Sequence, residues 1–167
     1  MLPRPSRTWS VLGYCIAVGW LALAGGLTQP YWEDENYSRW VFVQGGPLRI
    51  VTDYHLPNNH ILFNLFRWAW DTPAGSGIVW ERGLPWLFSA LAVIGIWRAT
   101  WHLNSRTAAV LAVSIFLSSH VVAVFATALR GYSLSFALVA WSAYFTFVWV
   151  DSKFESRRSL EAMCLIN

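Results

Sequence analysis

Long apolar runs separated by one polar island organise this chain. Residues 9–27 carry no charge, residues 84–97 form a second run, and residues 107–150 are interrupted by a single charge, Arg130. A run of roughly 20 apolar residues crosses a hydrocarbon core. The first therefore predicts a membrane span, read as an uncleaved anchor although Arg4 and Arg7 before it resemble a signal peptide. The second reaches residue 101 if Arg98 snorkels to the interface, and Pro85 suits the first turn of its helix. The third is too long for one crossing and predicts a hairpin of two helices, spans 107–118 and 121–150. Its break falls at Ser118-Ser119-His120 or at Arg130-Gly131. The expected fold is an all-α polytopic membrane protein of about four spans.

Between the first two runs lies a loop, residues 28–82, with its own helical periodicity. Tyr37, Trp40 and Val41 recur at helical spacing, and Glu33, Asp34 and Glu35 fill a first turn where negative charge suits the helix dipole. In residues 60–70, Ile61, Leu62, Leu65, Phe66 and Ala69 make one apolar face, with Asn58 or Asn59 available as N-cap. Gly45-Gly46-Pro47 predicts a turn between the two helices, which are expected to lie on the membrane.

Composition agrees. The 167 residues are 56% hydrophobic and 13% charged, with 12 Trp; a soluble domain carries roughly 25% charge, and Trp gathers at membrane interfaces. A net charge of +3 from scattered residues argues against nucleic acid. Cys15 and Cys164 make no metal or disulfide pattern. Arg4, Arg7, Arg98, Arg106, Lys153, Arg157 and Arg158 fall on one side of the four-span arrangement, so the positive-inside rule places both termini in the cytoplasm and residues 28–82 outside.

Candidate chemistry concentrates in that outer loop. Six of the nine carboxylates are Glu33, Asp34, Glu35, Asp53, Asp71 and Glu81. An acidic first turn is more often a helix-stabilising device than a base. Asp53, His55 and His60 are metal-ligand types, but their spacing matches no strong zinc pattern. His120 reads as a turn residue. Arg130, a charge inside a long apolar stretch, marks a binding site or pathway, with an interfacial loop arginine as the plainer reading.

The order of Asp34-Glu35, then Asp53-Tyr54-His55-Leu56-Pro57-Asn58-Asn59-His60, then Glu81-Arg82-Gly83-Leu84-Pro85, then Ala128-Leu129-Arg130-Gly131-Tyr132-Ser133-Leu134 resembles membrane glycosyltransferases of the C superfamily. The nearest likeness is to the bacterial relatives of protein O-mannosyltransferases. In that family the loop after the first span opens on an Asp-Glu pair, and an Asp-x-His-Pro-Pro or Asn-Asn-His segment follows. An Arg-x-Pro entry to the second span and an Ala-Arg-Gly-Tyr-Ser-Leu segment complete the pattern. Here His55 is followed by Leu56-Pro57 instead of two prolines, and one extra residue separates Ala128 from Arg130. Family members have more spans, so the chain looks like an N-terminal portion.

The resemblance implies transfer of a hexose or pentose from a polyprenyl-phosphate donor to an extracytoplasmic lipid, glycan or protein, at a bacterial plasma membrane. It implies Asp34 as base with Glu35 beside it, and Asp53, His55, Asn59 and His60 along the sugar or acceptor side. Arg130 and Tyr132 would meet the lipid phosphate. Metal use in the family is mixed, so no cofactor is implied. Implied partners are the donor, membrane lipids and the remaining spans of a longer protein. The rival expectations are a small non-enzymatic membrane module and an inactive remnant.

Overall fold

In a computed structural model the described residues are 13, 17–21, 25–71, 77–103, 106–152, 161 and 164–165. Most of the first apolar run, Cys15 and the basic flanks at Arg4, Arg7, Lys153, Arg157 and Arg158 lie outside them. Among the described residues the elements are all helical: α1 Glu33–Tyr37, a π-helical segment Ser38–Val43, α2 Gly46–Thr52, α3 Ile61–Asp71, α4 Ile78–Leu103, α5 Arg106–Ser118, α6 His120–Phe125 and α7 Tyr132–Asp151. Two of these, α4 and α7, are long and apolar enough to cross a membrane.

Helix α4 begins earlier than its hydropathy predicts. Pro85 sits inside it and not in its first turn, because Glu81 and Arg82 do not end the helix: both are buried and neutralised by partners from other elements. The apolar stretch 107–150 also differs from a simple hairpin. It breaks at both expected places, at Ser119 and again over residues 126–131, so the stretch 121–150 is divided between the short α6 and the 20-residue α7. Helix α5 has 13 residues, about 20 Å at 1.5 Å per residue, shorter than a hydrocarbon core of about 30 Å.

Helices α4 and α7 run parallel and make the largest interface. Phe63, Leu84, Phe88, Ala92, Leu134 and Ala137 form one buried cluster between them and α3. Ala17, Leu21, Val93, Val122 and Ala126 form a second, which brings in the residues ahead of the loop. At Gly95 a Cβ would stand 2.9 Å from that of Ala140, so the small pair lets the two backbones approach.

The loop residues 29–71 fold over the end of this pair where α4 and α7 begin. Helix α1 widens into the π-helical segment, and after a turn at Gln44 and Gly45 the chain starts α2, with Gly46 at φ +83° and Pro47 in the first turn. The expected turn is therefore also the start of an extra helix. Helix α3 is turned inside out. Phe63, Asn64 and Arg67 face inward, while Ile61, Leu62, Phe66 and Trp68 are exposed. Neither asparagine before it acts as a side-chain cap. Asn58 Nδ2 donates to the Asp34 carbonyl at 3.1 Å. Asn59 Nδ2 donates to the carbonyls of Ile50 and Asp53, and Asn59 Oδ1 accepts from Asn64 Nδ2 at 2.9 Å.

The cap is fastened by Arg82, 2% exposed, and the fully buried Glu35. Arg82 donates five hydrogen bonds: to the carbonyls of Gln29, Pro30 and Thr127 and to both oxygens of Glu35. Breaking a buried pair by removing one partner strands the other charge and costs about 3–5 kcal/mol. We expect Arg82→Ala to destabilise the protein by about that amount, with Arg98→Ala, an exposed position on the same helix, near neutral. Unfolding in mixed micelles followed by circular dichroism measures both.

Candidate functional site

The residues singled out in sequence come together in two groups. The first is Asp34, His60, Arg130 and Tyr132. Asp34 lies in the first turn of α1, His60 just before α3, Arg130 in the irregular segment 126–131 and Tyr132 at the first turn of α7. That irregular backbone is largely buried, and side chains satisfy its polar groups. Ser89 Oγ donates to the Ala126 carbonyl at 3.0 Å, Arg82 to the Thr127 carbonyl at 2.8 Å, and Leu129 N–H donates to Glu35 Oε1 at 2.7 Å. Thr127 Oγ1 also donates to the Gly25 carbonyl.

Held this way, Arg130 donates through Nη1 to Asp34 Oδ2 and through Nε to His60 Nε2 at 3.0 Å. Because His60 Nε2 accepts, this ring is neutral with its proton on Nδ1; burial pushes its pKa down, in the same direction. Tyr132 stands edge-on to the His60 ring at 5.7 Å and under the Arg130 guanidinium. Asp34 Oδ1, by contrast, is shielded from solvent and has no hydrogen-bond partner. A carboxylate with one oxygen clamped by arginine and the other unused can accept a further hydrogen bond.

Glu35 differs in kind from its neighbour. Its oxygens accept four hydrogen bonds, from Arg82 Nη1 and Nη2, Leu129 N–H and Trp32 N–H, and no lone pair faces a ligand. The second group is Asp53, His55 and Tyr37, a hydrogen-bonded line on the exposed side of the cap. The His55 contact, with help from Arg49, holds the Asp53 carboxyl below the usual carboxylate range. Asn59 belongs to neither group. It is buried and ties α2, the 53–60 turn and α3 together.

Sequence reasoning missed a third polar cluster. Glu81 accepts from Arg67 Nη2 at 2.5 Å and Tyr31 Oη at 3.0 Å, and pairs with Arg39 at 3.0 Å. Arg67 also lies 3.5 Å from Asp71, and Trp70 and Trp80 stack beside it with reciprocal N–H to carbonyl bonds. The available signal was Arg67 itself, a charge on the face opposite the apolar residues of α3. Among the described residues no group of three His, Cys, Asp or Glu side chains is placed to hold a metal ion. Comparison with family models, with curated proteins and with solved structures finds no match.

Burial raises the Asp71 pKa from 3.8 to about 6, against the pull of Arg67. A carboxyl with a raised folded-state pKa favours folding while protonated, so this contribution is present below pH 4 and is lost as pH rises through about 6. We expect Asp71→Asn to stabilise the protein by about 2 kcal/mol at pH 7.5, an allowance made for partial exposure, and to change little at pH 4. Unfolding titrations at the two pH values check the sign; equal effects at both would show that Asp71 is not the titrating group.

Proposed function

We propose that this chain is the catalytic N-terminal part of a polytopic membrane glycosyltransferase of the C superfamily. It would move a hexose or pentose from a polyprenyl phosphate to an extracytoplasmic acceptor. The observation that carries the reading is the unpartnered Asp34 Oδ1 beside an arginine clamp. The inside-out packing of α3 supports a membrane setting, since apolar side chains turned outward with arginine turned inward suit lipid and not water. Orientation with the site outside and both termini in the cytoplasm rests on the basic residues of the sequence, and assignment to a bacterial plasma membrane rests on the family resemblance alone.

In this mechanism the donor phosphate competes with Asp34 for Arg130. Guanidinium binds phosphate through paired N–H groups, so the arriving donor draws Arg130 away and frees the carboxylate. The acceptor hydroxyl then gives its proton to Asp34 as its oxygen attacks the anomeric carbon. The bond to the lipid phosphate breaks, and Arg130 neutralises the leaving group. His60 and Tyr132 hold the guanidinium for that task. Glu35 acts only by fixing α1 against Arg82. Asp53 and His55 line the outer approach, and Asn59 shapes it from beneath.

A non-enzymatic membrane module is the second reading. Saturation of Glu35 and Glu81 by buried arginines favours it, because most of the cap's charge is spent on assembly. The experiment separates the two. Asp34→Asn in the full-length protein should lower turnover by about 10²–10⁴-fold with the fold intact. Arg130→Ala should weaken use of the lipid donor, and Arg130→Lys should restore part of it, a point charge replacing a planar fork. Glu33→Gln is the control and should be nearly silent. Transfer of labelled sugar from polyprenyl phosphate, in membranes matched for protein level, reads all four. Near-wild-type turnover by Asp34→Asn would remove Asp34 from the chemistry.

A further inference from the structure

The line Asp53–His55–Tyr37 sits beside a turn to which Asp53 adds one acceptor, for the His55 N–H. The backbone around it is already fastened, since Asn59 binds the carbonyls of Ile50 and Asp53 and Asn58 binds that of Asp34. The three side chains are at least partly open to solvent. Yet they are aligned: Asp53 Oδ1 contacts His55 Nδ1, and His55 Nε2 lies 2.7 Å from the Tyr37 hydroxyl. The ring is held edgewise between Tyr37 and Phe42, at centroid distances of 6.2 and 6.0 Å.

The direction of the protons follows from the ends. Asp53 is ionised, paired with Arg49 at 3.3 Å as well as with His55, so it accepts and His55 Nδ1 carries the proton. Nε2 then presents a lone pair, and Tyr37 must be the donor. A histidine oriented by a carboxylate and aimed at a hydroxyl is the arrangement that activates an oxygen nucleophile or base. Tyr37 lies one turn after Asp34 on α1, a spacing that puts both on one side of the helix.

We propose that Asp53, His55 and Tyr37 form a proton relay that makes the Tyr37 phenol oxygen an acid–base group for a hydroxyl-bearing ligand at the outer mouth of the site. The ligand's hydroxyl proton passes to the Tyr37 oxygen as the phenol proton passes to His55 Nε2. The imidazolium is held by Asp53. In the reverse step it returns its proton to the Tyr37 oxygen as the phenol proton goes back to the ligand oxygen. When the ligand oxygen instead departs, the imidazolium gives its proton to water. The groups facing the ring are Asp53, Tyr37 and Phe42, with Arg49 behind Asp53. The inference does not depend on sugar transfer. Within the transferase reading it supplies a second proton acceptor, usable while Arg130 still occupies Asp34.

Phenol reactivity tests the relay without any turnover. An aryl sulfonyl fluoride labels tyrosine when the phenol oxygen forms a bond to sulfur, fluoride leaves and the phenol proton is taken up by a base. Tyr54, adjacent to His55 and 62% exposed, is the internal control. In the purified full chain we expect Tyr37 to be labelled at least about tenfold faster than Tyr54, a modest share of what a positioned base provides. His55→Gln should bring Tyr37 down to the Tyr54 rate, because the amide can hold the hydroxyl but cannot take its proton. Asp53→Asn should lower it partway. Equal labelling of the two tyrosines, or a Tyr37 rate indifferent to His55→Gln, would overturn the relay. Loss of sugar transfer with labelling intact would count against the transferase reading alone.

Discussion

Everything at the α4–α7 entrance depends on one buried ion pair, Glu35 with Arg82. Taking two such charges out of water costs several kcal/mol each, and attraction between them repays this only when their remaining hydrogen-bonding capacity is met. Here it is met. All five N–H donors of Arg82 are used, and Glu35 accepts two backbone N–H groups besides the guanidinium. The pair therefore reads less as added stability than as a joint. It gathers the 29–35 segment, the start of α4 and the irregular 126–131 segment at a single point, and the position of Arg130 follows from it.

The same logic explains why α3 is inverted. Arg67 and Asn64 are drawn inward because Glu81 and Asn59 wait there as partners, and the apolar face is left outside. In water that would forfeit the burial of Leu62 and Phe66; against an apolar phase it forfeits nothing. Polar interior and apolar exterior are two sides of one constraint. A lone buried charge is far costlier than a paired one, and the buried arginines Arg67 and Arg82 are each met by a carboxylate.

Much of this was legible in the sequence. The long apolar helix around residues 84–97, the break near Arg130 and the helical loop segments follow from periodicity and from Gly, Pro and Ser positions. Boundaries failed where charges were satisfied at long range. Glu81 and Arg82 look like the end of a helix, since their partners, Arg67 and Glu35, are 14 and 47 residues away. Local patterns cannot supply those partners. For the same reason Asn59 reads in sequence as a helix cap, whereas its side chain ties the carbonyls of Ile50 and Asp53 to the Asn64 side chain. Tyr37 was noticed only as an apolar helix residue, because its partner His55 is 18 residues on.

The adjacent acids Asp34 and Glu35 show how far residue type alone can carry a functional argument. Successive positions on a helix point about 100° apart, so a pair in one turn cannot share one environment. Glu35 turns inward and meets the joint; Asp34 turns toward Arg130 and keeps an oxygen free. A carboxylate whose oxygens are all occupied by donors, as in Glu35, has no acceptor site left for a ligand. Asp34 keeps Oδ1 without a partner. An Asp-Glu pair at a helix start thus divides by geometry into an anchor and a carboxylate with a free oxygen, and the anchor is what holds that carboxylate within reach of its arginine.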